Sequence, residues 1–305
     1  MNSTVAAEAA AVPAAGLRAV LASPLRPAAI GEALAGAADR AAAATEITTA
    51  IDTGSTNADL LARARAEAPA VPLLRAALNQ TAGRGRHGRR WHAAPGSALL
   101  FSLAVPLGTR AAAPAAALVA GVALAESLER ELAAYGVAVR LKWPNDLLLG
   151  AAPGRKLGGV LAELAVDRAG RRTLVVGAGI NLWLDAAARD SIGQPAAALA
   201  ECVPLDMLAA RREALLGAAA AALLAALRDC AERGFVPWQA RFMQRFALLG
   251  SAVEIVEQGA RVAAGRALGV DGDGRLLVET DGRVAAFASG EVSLRARGAD
   301  GGAAR

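Results

Sequence analysis

The spacing of apolar residues changes twice along this 305-residue chain, and each change marks a different kind of structure. The first 45 positions are rich in alanine, broken by Pro13, Pro24 and Pro27, and show little periodicity. That predicts a partly disordered extension over 1–45, with a short helix at most over 28–44. At Thr45 the pattern sharpens. A β-branched run to Ile51 reads as a strand, Gly54 as a turn, and Ser55 or Thr56 as the cap of a helix with Leu60 and Leu61 on its apolar side. Residues 71–78 and 97–107 read as strands, and the stretch from Pro114 to Gly136 as a long helix with proline at its start and glycine at its stop. Three strand-rich segments follow, 137–149, 156–167 and 171–184, separated by the turn-forming APGR and DRAGRR. Helices are predicted over 206–230 and 236–248.

The second change comes at Gly250. Short β runs then alternate with Gly- and Asp-rich turns, and DGDGR and TDGR are hairpin signals. The pattern predicts an α+β chain: a mixed-sheet domain over 46–249, then a small all-β barrel or sandwich over 250–305.

Composition narrows the setting more than the function. Hydrophobic residues make up 55% of the chain, but alanine dominates them, so a core must lean on Leu, Val and Ile. A formal charge of +5, from 33 Lys and Arg against 28 Asp and Glu, is a mild bias that helps anionic partners approach without identifying them. Cys202 and Cys230 show no metal, redox or disulfide spacing, which points to a reducing, cytoplasmic location. The N-terminal stretch makes a poor signal peptide, and no uninterrupted apolar run reaches membrane-spanning length, so no membrane partner is expected. His87 and His92 are the only histidines and sit among cations, which argues against a metal cluster. Ser55 and Cys202 lack a neighbouring histidine motif, so neither reads as a nucleophile with its base. An enzyme made from these residues works by aligning reactants and stabilising charge.

Residues 83–91, GRGRHGRRW, hold four arginines, three glycines and a tryptophan. Glycines let such a segment wrap a ligand, and guanidinium forks suit phosphate. The GxGxxG spacing is shared with dinucleotide folds, but Pro95 and a strand follow where a helix should begin. Nucleic-acid binding is the rival, although a single aromatic residue gives little to stack on. KWPNDLLLG (142–150) sets Lys142, Asn145 and Asp146 beside Pro144 between apolar runs, where polar groups must be bonded or bind something. Asp146 suits Mg²⁺ or a ribose. RKLGGVLAE (155–163) brings Lys156 before two glycines. GAGINLW (177–183) offers small residues able to admit a flat ring, with Asn181 behind them, and GSTN (54–57) supplies hydroxyls and an amide.

In this order, GSTN, QTAGRGRHGRRW, KWPNDLLL, KLGGVLAE, GAGINL and GEVSLR resemble the biotin protein ligase (biotin–[acetyl-CoA-carboxylase] ligase) family, from about residue 47 to 295. The resemblance implies a catalytic domain like those of class II aminoacyl-tRNA synthetases and a small SH3-like barrel. It implies activation of biotin by ATP, with Mg²⁺, to biotinyl-5′-AMP. Transfer follows to a lysine of a biotin carboxyl carrier protein domain. By the same resemblance, Ser55, Thr56, Asn57, Gln80 and the segment at Gly83 and Arg84 face the ureido ring, and Arg86 and Lys156 embrace the carboxylate. Trp91 shields the intermediate, Arg89, Asn145, Asp146 and Asn181 serve the nucleotide, and Lys142 and Asp146 join Arg86 and Lys156 in catalysis. Lipoate or octanoate ligation is the nearest alternative, and a homodimer is left open. His87 stands where relatives commonly carry arginine, and residues 1–45 are not expected to form a DNA-reading helix-turn-helix domain.

Overall fold

The computed structural model describes residues 14–36, 44–109, 115–151, 154–192, 194–257, 260–288 and 292–296. Its main sheet has seven strands: β1 (Glu46–Thr53), β2 (Leu73–Gln80), β3 (Ala98–Gly108), β4 (Val139–Lys142), β5 (Asp146–Leu149), β6 (Arg155–Val166) and β7 (Arg172–Asn181). Their spatial order is β1-β2-β3-β7-β6-β5-β4. Only the β1–β2 pair is parallel, and the crossover helix between its strands is Thr56–Ala66. All other neighbours in the sheet are antiparallel, and β6 and β7 are joined by the turn expected at DRAGRR.

The described helices of eight or more residues are α1 (Ala14–Leu21), α2 (Pro27–Ala35), α3 (Thr56–Ala66), α4 (Ala116–Glu131), α5 (Leu205–Arg233) and α6 (Val236–Arg245). On one face of the sheet, α2, α4 and α5 enclose the principal core with Phe101, Val160, Val176 and Ala178. On the other, α3 covers only a small cluster of Leu60, Leu61, Ala64, Leu73, Ala104, Ala165 and Val175. The rest of that second face is left for the site. Helix α5 is long and apolar enough to cross a bilayer by length and composition, but Leu208, Leu215, Leu216, Leu223, Leu224 and Leu227 bury it in the protein core.

The N-terminal stretch departs from the sequence reading. Residues 14–36 are two helices packed into the core, with Leu21, Ile30 and Leu34 at 1% exposure or less. Arg212 of α5, itself buried, holds them: its Nη1 donates to the carbonyl oxygens of Leu21 and Ser23 (2.5 and 3.0 Å), and Nη2 to Glu213 (2.9 Å). Arg18 also stacks on Trp183 at 4.5 Å. Alanine-rich helices carry weak periodicity, so a long-range arginine anchor is invisible to a pattern reading. Residues 1–13 and 37–43 of the expected extension lie outside the described residues.

The C-terminal strands β8 (Ala252–Glu257), β9 (Ala260–Val270), β10 (Leu276–Thr280), β11 (Arg283–Phe287) and β12 (Val292–Ala296) form an antiparallel sheet in the order β11-β10-β9-β8-β12. DGDGR and TDGR are the β9–β10 and β10–β11 turns. This sheet is joined to the first domain through one core that includes Val253, Ile255, Ala267, Val270, Leu276 and Val278. Trp143, from KWPND, lies at the joint: its Nε1 donates to the Gly274 carbonyl at 3.1 Å, and the ring is 1% exposed.

Candidate active site

Glycines in the sheet make the cavity. Two rows of paired residues cross it, Ser102–Gly177–Leu161 and, one step along, Gly179–Gly159–Asp146. At Gly177, Gly179 and Gly159 these rows carry no side chain, and the space left there is bounded above by α3's first turn and by residues 84–92.

Ser55 caps α3, its Oγ accepting from the Ala58 amide at 3.4 Å, so the next two side chains are fixed over the sheet. The Thr56 amide and hydroxyl both donate to Gln80 Oε1 (2.8 and 3.1 Å), and the hydroxyl meets Ser102 Oγ at 2.7 Å. With Oε1 occupied, Gln80 offers its Nε2 as a donor. Asn57 is oriented the other way: Nδ2 donates to Glu163 Oε2 at 2.7 Å, and Oδ1 is buried with no partner among the described residues. A Cβ on Gly177 would lie 2.6 Å from that oxygen, so only glycine leaves it room. The floor therefore presents a donor and an acceptor, both held by the protein.

Residues 83–91 close on themselves through backbone bonds: Gly85 to Arg89 (2.7 Å), Arg89 to Arg86 (3.2 Å) and Trp91 to Gly83 (2.9 Å), each amide donating to the named carbonyl. Trp91 lies flat on the sheet. A Cβ on Gly179 would come within 2.7 Å of two of its ring atoms, so the flat ring that GAGINLW admits is the protein's own tryptophan. Lys156 Nζ stands 5.9 Å from the centre of that ring and 2.7 Å from Asp146 Oδ1, with both partners largely buried. Arg86 is half-buried. Burial, then the charge of Arg89, lowers its pKa, and Asp146 partly offsets this; the group stays a cation. His87, in a left-handed conformation at φ 56°, is held below the ordinary imidazole value by burial and by Arg86 and Arg89.

The cavity thus gathers Ser55, Thr56, Asn57, Gln80, Arg84, Arg86, Arg89, Trp91, Asn145, Asp146, Lys156 and Asn181. It leaves out two residues expected there. Gly83 packs beneath the loop, where a Cβ would meet the Trp91 carbonyl at 3.0 Å, and Lys142 pairs with Asp146 across the β4–β5 ladder without lining the cavity. The two asparagines are partly committed: Asn145 Nδ2 donates to the Val160 carbonyl at 2.8 Å and Asn181 Nδ2 to that of Ala197 at 3.0 Å. Ser102 and Glu163 escaped the sequence reading, because single polar residues in apolar strands look like ordinary alternation.

A model of the biotin/lipoate A/B protein ligase family matches residues 50–181, and one of the biotin protein ligase C terminal domain matches residues 248–295. The chain is 33% identical over 252 residues to a biotin–[acetyl-CoA-carboxylase] ligase of Mycobacterium tuberculosis, covering 79% of this chain and 85% of that one. The chain belongs to the biotin protein ligase family. It is also 36% identical over 218 residues to the bifunctional ligase/repressor BirA of Salmonella typhimurium, covering 71% of this chain but only 64% of that relative's length. Among solved structures, the biotin protein ligase of Aquifex aeolicus in complex with biotin and ATP superposes with a TM-score of 0.65 at 26% identity, over 82% of this chain and 99% of that one. The mixed sheet with a C-terminal antiparallel sheet is thus the biotin protein ligase fold.

Proposed function

We propose that this member of the family is an ATP-dependent biotin protein ligase that forms biotinyl-5′-AMP and passes the biotinyl group to a lysine of a biotin carboxyl carrier protein domain. The observation that carries the reading is a single cavity with two ends. One end offers neutral hydrogen-bonding groups, Ser55, Thr56, Asn57 and Gln80, and the other offers cations, Arg86 and Lys156, beside Trp91. A ureido ring joined by an aliphatic chain to a carboxylate has the same polarity along its length. A lipoyl or octanoyl chain would leave the Asn57 acceptor and the Gln80 donor without partners.

In the first step a biotin carboxylate oxygen attacks the α-phosphorus of ATP, an O–P bond forms, and the bond to pyrophosphate breaks. Arg86 and Lys156 offset the repulsion between the two anions and the charge gathered on phosphorus, each worth roughly 2–4 kcal/mol. In the resting site Lys156 is paired with Asp146, so an incoming carboxylate must compete for it. Asp146 also fits a Mg²⁺ that arrives on the triphosphate. One carboxylate plus phosphate oxygens is a usual Mg²⁺ environment, and the described residues contain no group of three or more His, Cys, Asp or Glu that would hold an ion unaided. Mg²⁺ there would screen the phosphate charge and align the leaving group. Asn145 and Asn181 then border the nucleotide end, with Arg89 above it. Trp91 and the arginine loop cover the mixed anhydride and keep water from it. In the second step the neutral amine of the acceptor lysine attacks the acyl carbon, a C–N bond forms, AMP leaves with the electron pair, and the nitrogen gives up a proton to solvent. Lys156 or Arg86 stabilises the departing phosphate.

A cytoplasmic location belongs to the same reading, supported by two unpaired thiols, Cys202 and Cys230. Incubating the protein with ATP, biotin and a carrier domain tests the function. A carrier mass increase equal to one biotinyl group is expected. Labelling by lipoate and not by biotin would overturn the assignment.

A further inference from the structure

Glu163 closes the RKLGGVLAE stretch and had no role in the sequence reading, yet it decides which way an amide at the cavity floor faces. A carboxylate only accepts hydrogen bonds, so the 2.7 Å contact from Asn57 must come from Nδ2. The second Nδ2 hydrogen points towards the Leu161 carbonyl at 3.5 Å. Oδ1 is then forced to the opposite side, over Gly177, where Asn57 is 4% exposed and its oxygen lacks a donor. A buried acceptor without a donor is costly, and none of the described residues relieves it. Thr56 sets Gln80 in the reverse sense by occupying its oxygen. Two neighbouring amides are locked by different partners into opposite polarity.

We propose that Glu163 is a positioning residue for ligand selectivity, fixing Asn57 so that its Oδ1 receives an N–H of the ligand's ureido ring. This deepens the biotin assignment above and rests on it. A cyclic urea carries N–H groups beside its carbonyl oxygen, which suits an acceptor next to a donor. An acyl chain without an N–H leaves the acceptor buried and unpaired, so the device discriminates by the cost of a missing partner.

The test compares the wild-type 305-residue chain with Glu163→Ala and Glu163→Gln. Direct titration uses biotin, desthiobiotin (which keeps the ureido group without the sulfur ring) and octanoate. Glu163→Ala is expected to weaken biotin and desthiobiotin by about tenfold, the loss of one well-placed hydrogen bond. Octanoate binding, the KM for ATP and kcat at saturating biotin should stay unchanged. Glu163→Gln still presents an oxygen to Nδ2 and should recover most of the loss, which also keeps the test open if the alanine variant folds poorly. Equal losses for biotin and octanoate, or unchanged biotin affinity in both variants, would overturn the role alone. Failure of wild type to bind biotin at all would overturn the functional reading and the role with it.

Discussion

The floor of the cavity and its cover are built on opposite plans. On the floor, Thr56, Asn57, Gln80 and Ser102 are fixed by a helix cap, two strands and side-chain bonds of 2.7–3.1 Å. The cover is a glycine-rich segment held by its own backbone bonds, with Arg84, Arg89 and Arg90 exposed and only Arg86 partly withdrawn. The contrast separates recognition from chemistry. In the reaction proposed above, a rigid, neutral floor reads the ligand before reaction, whereas a cationic cover and Lys156 act on charge that exists only once two anions meet.

That division can be broken first at Lys156. Lys156→Ala should lower biotin-dependent pyrophosphate release by about 10²–10³-fold while changing biotin affinity far less. Parallel titration and single-turnover assays separate the two effects. An equal fall in both would make the lysine part of the recognition half. Gly179→Ala acts at the seam between the halves. The added Cβ lies 2.7 Å from Trp91 ring atoms and must displace the ring. A rise of roughly tenfold in the KM for ATP is expected, with biotin affinity retained.

Away from both halves, Trp143→Phe removes the Nε1 bond to Gly274 and should cost about 1 kcal/mol of stability in denaturant titration, with turnover nearly intact. The smallest effect concerns His87. Its pKa lies low because burial and the Arg86 and Arg89 charges oppose protonation. A phosphate bound at those arginines cancels their charge and raises the imidazole pKa, so binding takes up a proton. Affinity for a non-hydrolysable adenylate should therefore rise as pH falls through the window below the ordinary imidazole value, by about two- to threefold. His87→Arg should flatten the profile.

Much of this was legible in the chain because local signals and final structure agree. Ser55 caps the helix that begins at Thr56, Gly136 takes the left-handed conformation after the long helix, and DGDGR and TDGR turn where expected. What stayed hidden depends on partners far away in sequence. Arg212 anchors helices some 190 residues upstream, and Glu163 reaches Asn57 across 106 positions. Glycine motifs were legible as space but not as what fills it: Gly179 accommodates Trp91, and Gly177 an amide oxygen. Asn181, read as a nucleotide contact, also spends its amide on Ala197. Lys142 stands opposite Asp146 in the β4–β5 ladder but does not line the cavity.

The central claim is that Arg86 and Lys156 converge on one phosphate beneath the loop. A crystal structure grown with biotin, ATP and Mg²⁺ tests it most directly. The account predicts density for biotinyl-5′-AMP under residues 83–91, with Lys156 released from Asp146 and both cations within hydrogen-bond distance of the acyl phosphate. An adenylate bound with Arg86 turned to solvent and Lys156 still paired to Asp146 would contradict it.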